Sequence, residues 1–415
     1  MRAPWVVALV ATVCLVAGCG SKQASEGPPA PEPLQPVLLS NPEVPFDGAI
    51  RLAAIFPTQG RYGPSGIQSL RGVRLAVKDI NAHGGINGRS LRLLEYRIGS
   101  YFVDARYAAE RAVDRAGAVA IIGSNSSSLS MPIAEVAEAN GIVQVSNIST
   151  AQDLTHDPVT GVERRFVFRV CPSDLGLARL LARFASVNLK AQRVAVLYEV
   201  GRAYSARLAQ NFVRAYEGSR IKGVTEEFVF LPLETDFRPQ LRQIAAFHPD
   251  LLFLPGSFTD ATLVAHQATT MGLDVTMLGA DGWSNRYLFQ RHPPPGRAFY
   301  ADLCSPPPRF QQRYQAVFDE EPDGCRAVLG YDAVVAVAQS LAQLGPLSDK
   351  DLRQGLAATR ERLRISMGKT DIEGQTGRIR FDEHRDRSGG MAIMEVVRDD
   401  GHVKAPEPYL LDHAS

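Results

Sequence analysis

From Ala49 onward, short runs that are apolar at nearly every position alternate with longer amphipathic stretches. The runs are LAAIF (52–56), VAIIG (119–123), VAVLY (194–198), LLFLPG (251–256) and VTMLGA (275–280). Unbroken apolarity over five or six residues marks strands covered on both faces. Between them, Ile67, Leu70, Val73, Val77 and Ile80 recur at helical spacing and predict a helix over about 66–82. Leu208, Phe212 and Ala215 repeat in the same way after Tyr204. Strands alternating with helices call for an α/β fold with parallel, doubly wound sheets and helices on both faces. The 415 residues exceed one ordinary domain and suffice for two such lobes.

Composition narrows the partner. Lys and Arg total 45 against 44 Asp and Glu, so the net charge is +1 and no strongly basic field is available to hold nucleic acid. A small neutral or zwitterionic partner fits better. The first nineteen residues, MRAPWVVALVATVCLVAGC, hold an apolar run from Pro4 to Val16, too short to remain in a bilayer, and then small residues before Cys19. Val16-Ala17-Gly18-Cys19 resembles the bacterial lipoprotein processing box, which implies a signal peptide over 1–19 and acylation of Cys19. Gly20 in place of an aspartate leaves the choice of membrane open. The Pro-rich stretch over 20–48 reads as an extended tether. After export, Cys171, Cys304 and Cys325 remain; an oxidising compartment permits one bridge, with Cys304 and Cys325 the preferred pair, although spacing alone fixes no connectivity. The eight histidines show no ligand spacing, so neither a metal nor another cofactor is expected.

Doubly wound sheets bind ligands where loops gather at the carboxyl ends of their strands. Two of those loops are rich in hydroxyls, at Ser126, Ser127 and Ser128 and at Ser149 and Thr150. If each opens a helix, exposed N–H groups and the positive end of the helix dipole make it a seat for a carboxylate; the same residues also serve as ordinary N-caps. Asp281 follows a buried strand as a lone acid and implies a cation nearby, or else a structural turn. A ligand carrying both a carboxylate and an ammonium, a free amino acid, would satisfy all three loops.

From about Ile50 to Val403 the chain resembles the leucine/isoleucine/valine-binding proteins, type I periplasmic binding proteins that deliver amino acids to ABC transporters. GVRLAVKDINAHGGINGRSLRL (72–93) carries the resemblance, with YGPSG, GSNSSSLSMP, FRVCPSD and GYDAV (330–334) in the family's order. The resemblance implies two Rossmann-like lobes joined by a three-segment hinge: 49–171 with 305–376, and 172–304 with 377–412, crossing near Cys171, at 301–305 and near Gly377. It also implies that Ser127 binds the ligand carboxylate, Thr150 touches the ligand main chain and Asp281 meets the ammonium. Tyr62 and Tyr204 would line the pocket from either lobe. Ser257 stands, with Phe258 beside it, where one member closes its pocket with a tyrosine, and Ser100 and Ser126 replace a cysteine pair. Asn125 and Ile148 replace smaller or apolar residues, so the main-chain clamp is retained while the side-chain pocket is altered. Trp283 is a candidate wall of that altered pocket, or simply packed.

The expected protein is therefore a monomeric, lipid-anchored, extracytoplasmic solute-binding subunit that meets an ABC permease and catalyses no reaction. Rivals on the same fold are a ligand-sensing receptor subunit and a binder of urea, amides or aromatic acids. A nucleotide-dependent oxidoreductase is more distant: GRYGPSG (60–66) spaces its glycines G-x-x-G-x-x-G and not G-x-G-x-x-G. A serine hydrolase would need G-x-S-x-G, and GSNSS lacks the second glycine.

Overall fold

The first sheet is built from β1 (Ile50–Pro57), β2 (Leu91–Ile98), β3 (Ala120–Ile122), β4 (Val143–Ser146) and β5 (Val167–Arg169), all parallel, in the order β2-β1-β3-β4-β5. Its crossovers include α1 (Gly63–Ala82), α2 (Phe102–Asp114) and α3 (Ser127–Asn140). Every residue of β1, β3 and β4 is buried, which is why LAAIF in β1 and VAIIG around β3 read as unbroken apolar runs; the edge strand β2 alternates instead. This computed structural model describes residues 45–408 apart from 61, 157–159, 220–222, 286–287, 388, 397, 400–401 and 404–406. The expected signal peptide, Cys19 and most of the tether lie outside the described residues.

The chain leaves the first sheet after β5 and enters α4 (Asp174–Arg183), then builds a second sheet. Its parallel part comprises β6 (Arg193–Glu199), β7 (Val224–Phe230), β8 (Leu251–Phe253), β9 (Thr276–Gly279) and β10 (Ala298–Asp302), with α5 (Ala203–Glu217), α6 (Arg238–Phe247) and α7 (Phe258–Thr270) between. From β10 the chain returns to the first lobe through α8 (Pro308–Phe318), α9 (Arg326–Ala342), α10 (Asp349–Arg353), α11 (Leu356–Met367) and the hairpin of β11 (Asp371–Gly374) and β12 (Gly377–Arg380). It crosses a third time to β13 (Ala392–Glu395), antiparallel to β10. The short pair β14 (Arg398–Asp399) and β15 (His402–Val403) precedes β16 (Glu407–Pro408), which closes the order β16-β13-β10-β9-β8-β6-β7.

The third crossing comes later than the sequence suggests. Gly377 sits in the hairpin turn at φ +89°, where a residue without Cβ is favoured, and the strand that joins the second sheet begins only at Ala392. Between them, Asp386 forms a buried ion pair with the fully buried Arg169 at the end of β5, tying the third crossing to the first. At the second crossing a disulfide joins Cys304 to Cys325, the N-cap of α9, while Cys171 is a free, buried thiol. No described helix is long and apolar enough to cross a membrane.

Candidate functional site

The serine-rich loop after β3 divides its hydroxyls between two tasks. Gly123 carries φ +130°, and a Cβ there would lie 2.3 Å from the Ile55 carbonyl oxygen, so the strand can turn here only with glycine. Beneath the turn the buried Ser124, Ser130, Ser146 and Ser149 bind one another. The Ser124 N–H donates to Ser130 Oγ at 2.9 Å, Ser130 Oγ meets Ser149 Oγ at 2.8 Å, and Ser146 and Ser149 both donate to the Ser124 carbonyl. Ser126, Ser127 and Ser128 instead line a cleft of about 460 Å³ at the carboxyl ends of the strands. Ser126 is the N-cap of α3 without a side-chain cap bond, and no acid occupies the first turn. An uncapped fourteen-residue helix therefore presents its positive end to the cleft.

Other elements bring the remaining groups to the same space. Tyr62, the N-cap of α1, is held by its N–H to Ser100 Oγ at 3.3 Å. Thr150 lies after β4, and its carbonyl accepts the Asp174 N–H at 2.8 Å across the first crossing. The segment behind Thr150 opens only a three-residue 3-10 turn, Gln152–Leu154, so the second expected helix dipole is absent. Ser127 Oγ accepts the Ala151 N–H at 3.2 Å and links the two hydroxyl loops. From the second lobe, Tyr204 in the first turn of α5 donates its hydroxyl to Asp281 Oδ1 at 2.7 Å and accepts the Gly282 N–H at 3.2 Å.

Burial pushes the Asp281 carboxyl up to about 6; the Tyr204 hydroxyl and the nearby Arg326 oppose the rise and the neighbouring Asp174 adds to it. Asp174, fully buried, is also raised to about 6, chiefly by burial. Neither of its oxygens makes a well-formed hydrogen bond, although the Thr150 hydroxyl is near enough to offset part of that rise. The Tyr204 hydroxyl is held well above its ordinary range by burial and by Asp281. The lobe carrying α5 thus presents a buried acid to the cleft, and the lobe carrying α3 presents hydroxyl and N–H donors.

Six of the eight expected ligand residues share the cleft: Tyr62, Ser126, Ser127, Thr150, Tyr204 and Asp281. Two do not line it. Ser149 is 1% exposed and belongs to the buried serine web. Ser257 is the N-cap of α7 in a capping box with Asp260, whose N–H it accepts at 3.2 Å. Trp283 is fully buried against Phe289 and serves as core.

Four charged residues of the cleft were not foreseen: Asp153, Arg202, Arg207 and Arg326. Arg207 lies three positions after Tyr204 on α5, a spacing that puts both on one helix face and could have flagged it. It forms an ion pair with Asp153 on the opposite lobe. Arg326, at the start of α9, donates to Ser65 Oγ at 3.0 Å and to the Ser284 carbonyl, beyond β9, at 2.9 Å. Arg202 pairs with Glu199 at 3.3 Å and lies over the Tyr204 ring. Among the described residues no group of three or more His, Cys, Asp or Glu is placed to hold a metal ion.

The profile of the periplasmic binding protein family matches residues 49–402, nearly the whole folded region. The chain belongs to that family. This periplasmic binding protein is 28% identical over 236 residues to the Leu/Ile/Val-binding protein BraC3 of Rhizobium johnstonii, a match covering 57% of the chain and 62% of that relative. Its fold superposes with a TM-score of 0.73 on the leucine-binding protein LivK of Thermotoga maritima, at 26% identity, covering 86% of this chain and 98% of that one. A benzoate-bound ABC transporter solute-binding protein of R. palustris shares the fold, with a TM-score of 0.70 at 18% identity over 88% of this chain and 99% of that one.

Proposed function

We propose that this protein is the extracytoplasmic ligand-binding subunit of an ABC transporter, and that its two lobes close on a free amino acid. The observation that carries the reading is that groups of opposite polarity face one cleft. An uncapped helix N-terminus with Ser126, Ser127 and Thr150 stands on one lobe, and the Tyr204–Asp281 pair stands on the other. The α-carboxylate accepts from the Ser127 hydroxyl and the first-turn N–H groups of α3, the α-ammonium donates to Asp281, and Tyr62 and Tyr204 flank the ligand. Binding both poles at once bridges the lobes, which is how a ligand selects the closed state. The relatives named for leucine, isoleucine and valine, and the fold shared with LivK, support the amino-acid class. Acylation at Cys19 would hold the protein at the membrane beside its permease. The family is one of solute binders, and no reaction step is required of any cleft residue.

The test is a thermal-shift screen of the purified chain against the common amino acids, urea, simple amides and benzoate. A ligand that binds only the folded form must raise its melting temperature. At least one amino acid is expected to do so. A shift with benzoate or urea and none with any amino acid would overturn the reading in favour of an ammonium-free ligand.

A further inference from the structure

Asn125 sits directly before the N-cap of α3 and lines the cleft, yet it is only 7% exposed. Its Oδ1 accepts a long hydrogen bond from Ser124 Oγ at 3.4 Å, while its Nδ2 has no partner. A buried amide donor left unpaired is costly, and the chain could have avoided the cost with any aliphatic residue of similar volume. The rest of the wall points the same way. Met131, Ile148 and Ala151 are its aliphatic side chains, and they are outnumbered by hydroxyls and guanidiniums. A branched aliphatic side chain placed here would leave the Asn125 Nδ2 hydrogen unpaired.

Building on the amino-acid reading of the site, we infer that Asn125 is a specificity-determining residue that selects an amino acid whose side chain carries an oxygen acceptor, a hydroxyl, carboxamide or carboxylate, over the branched aliphatic amino acids. The ligand's acceptor takes the free Nδ2 hydrogen, while its α-carboxylate and α-ammonium occupy Ser127 and Asp281. Sites that hydrogen-bond a polar group discriminate strongly against the isostere lacking it, because the protein's own buried group is then left unpaired.

Isothermal titration of the full chain with near-isosteric pairs tests this: asparagine and aspartate against leucine, and threonine against valine. In whichever pair binds, the polar member is expected to bind at least tenfold more tightly, and Asn125→Leu to reduce that preference at least tenfold. Asn125→Asp, which presents acceptors only, is expected to weaken aspartate, whose side-chain carboxylate has no hydrogen to donate, more than Asn125→Leu does. Should Asn125→Leu fail to fold, Asn125→Ser and the wild-type preference carry the same comparison. Leucine or valine binding as tightly as the polar partner, an Asn125→Leu variant with an unchanged preference, or tighter binding of aspartate by Asn125→Asp would each overturn the inference while leaving the amino-acid site intact. If no free amino acid binds at all, the reading of the site falls, and this inference falls with it.

Discussion

If the ligand's ammonium sits at Asp281 as proposed, protons compete with it there, and the pKa of the carboxyl sets the pH at which they win. The carboxyl is raised to about 6 in the ligand-free protein, first by burial and further by Asp174, with the Tyr204 hydroxyl and Arg326 pulling in the opposite direction. Binding needs the ionised form, whereas neither the carboxylate nor the ammonium of an amino acid with an uncharged side chain titrates between pH 5 and 7.5. With a pKa near 6, about 97% of Asp281 is ionised at pH 7.5 and about 9% at pH 5. The dissociation constant should therefore rise roughly tenfold as pH falls across that range, a loss of about 1.4 kcal/mol. The sign is fixed: the ammonium lowers the Asp281 pKa in the complex, so binding releases a proton and is strongest above pH 6. Isothermal titration in two buffers of different ionisation enthalpy reads both the affinity and the released proton. Asp281→Asn should bind weakly with no pH slope in this window. Asp174→Asn should move the midpoint to lower pH by removing a like charge. A wild-type dissociation constant constant within twofold from pH 5 to 7.5, with no proton released, would refute the placement of the ammonium at Asp281.

Three further outcomes follow from the same geometry. On the proposed placement, Ser127→Ala removes one donor to a charged carboxylate and should weaken binding by about 1.5–3 kcal/mol, measured by titration, with a modest fall in the melting temperature of the ligand-free protein because the Ala151 N–H loses its acceptor. Asp386→Ala leaves the fully buried Arg169 guanidinium without its partner and should destabilise the fold by about 3–5 kcal/mol in denaturant unfolding; because Arg169 also donates to the Ser149 and Ala151 carbonyls, at 3.2 and 2.7 Å, binding should weaken too. Reducing the Cys304–Cys325 bridge, which spans 21 positions, should lower stability by roughly 3 kcal/mol and the melting temperature by a few degrees.

The sequence displayed its strands more clearly than its site. Strands such as β1 and β8 are buried at every position, so the chain had to write them as continuous apolar runs, and their order with the intervening helices followed. The loops at their ends could be listed for the same reason, and six of the eight residues chosen from them share one cleft. The two that do not share it show the limit. Ser149 and Ser127 are both small hydroxyls in loops after parallel strands, yet one is bonded to Ser130 in the interior and the other faces the cleft. What separates them is where the folded chain places each hydroxyl, and the local sequence around the two is too similar to show it. Ser257 was ambiguous in another way: a serine three positions before an aspartate at a helix start is also a capping box, and that local use prevailed. The arginines escaped because a charged residue at a helix start reads as solvated surface until a second lobe is placed across from it.

That second lobe raises the question of how far contacts across the cleft favour closure before a ligand arrives. Arg207 and Asp153 pair across it, and Arg326 reaches the Ser284 carbonyl at the other lobe's loop. Arg207 remains 40% exposed, so its ion pair contributes at most about 1 kcal/mol, a factor of about five in the balance between closed and open states. Moving a population from mostly open to mostly closed takes about 5.5 kcal/mol, far more than such a contact provides. On the proposed reading the ligand supplies most of the closing free energy, through the Ser127 and Asp281 poles, and the ion pair only trims the energy needed. Arg207→Ala should accordingly raise the dissociation constant by about two- to fivefold, with the whole change removed at high salt, where the wild-type pair is screened as well. Small-angle scattering of ligand-free protein should show the variant slightly more extended than the wild type, and saturating ligand should restore the same compact form in both. A hundredfold loss of affinity in Arg207→Ala, persisting at high salt, would mean that Arg207 touches the ligand itself and is no mere latch.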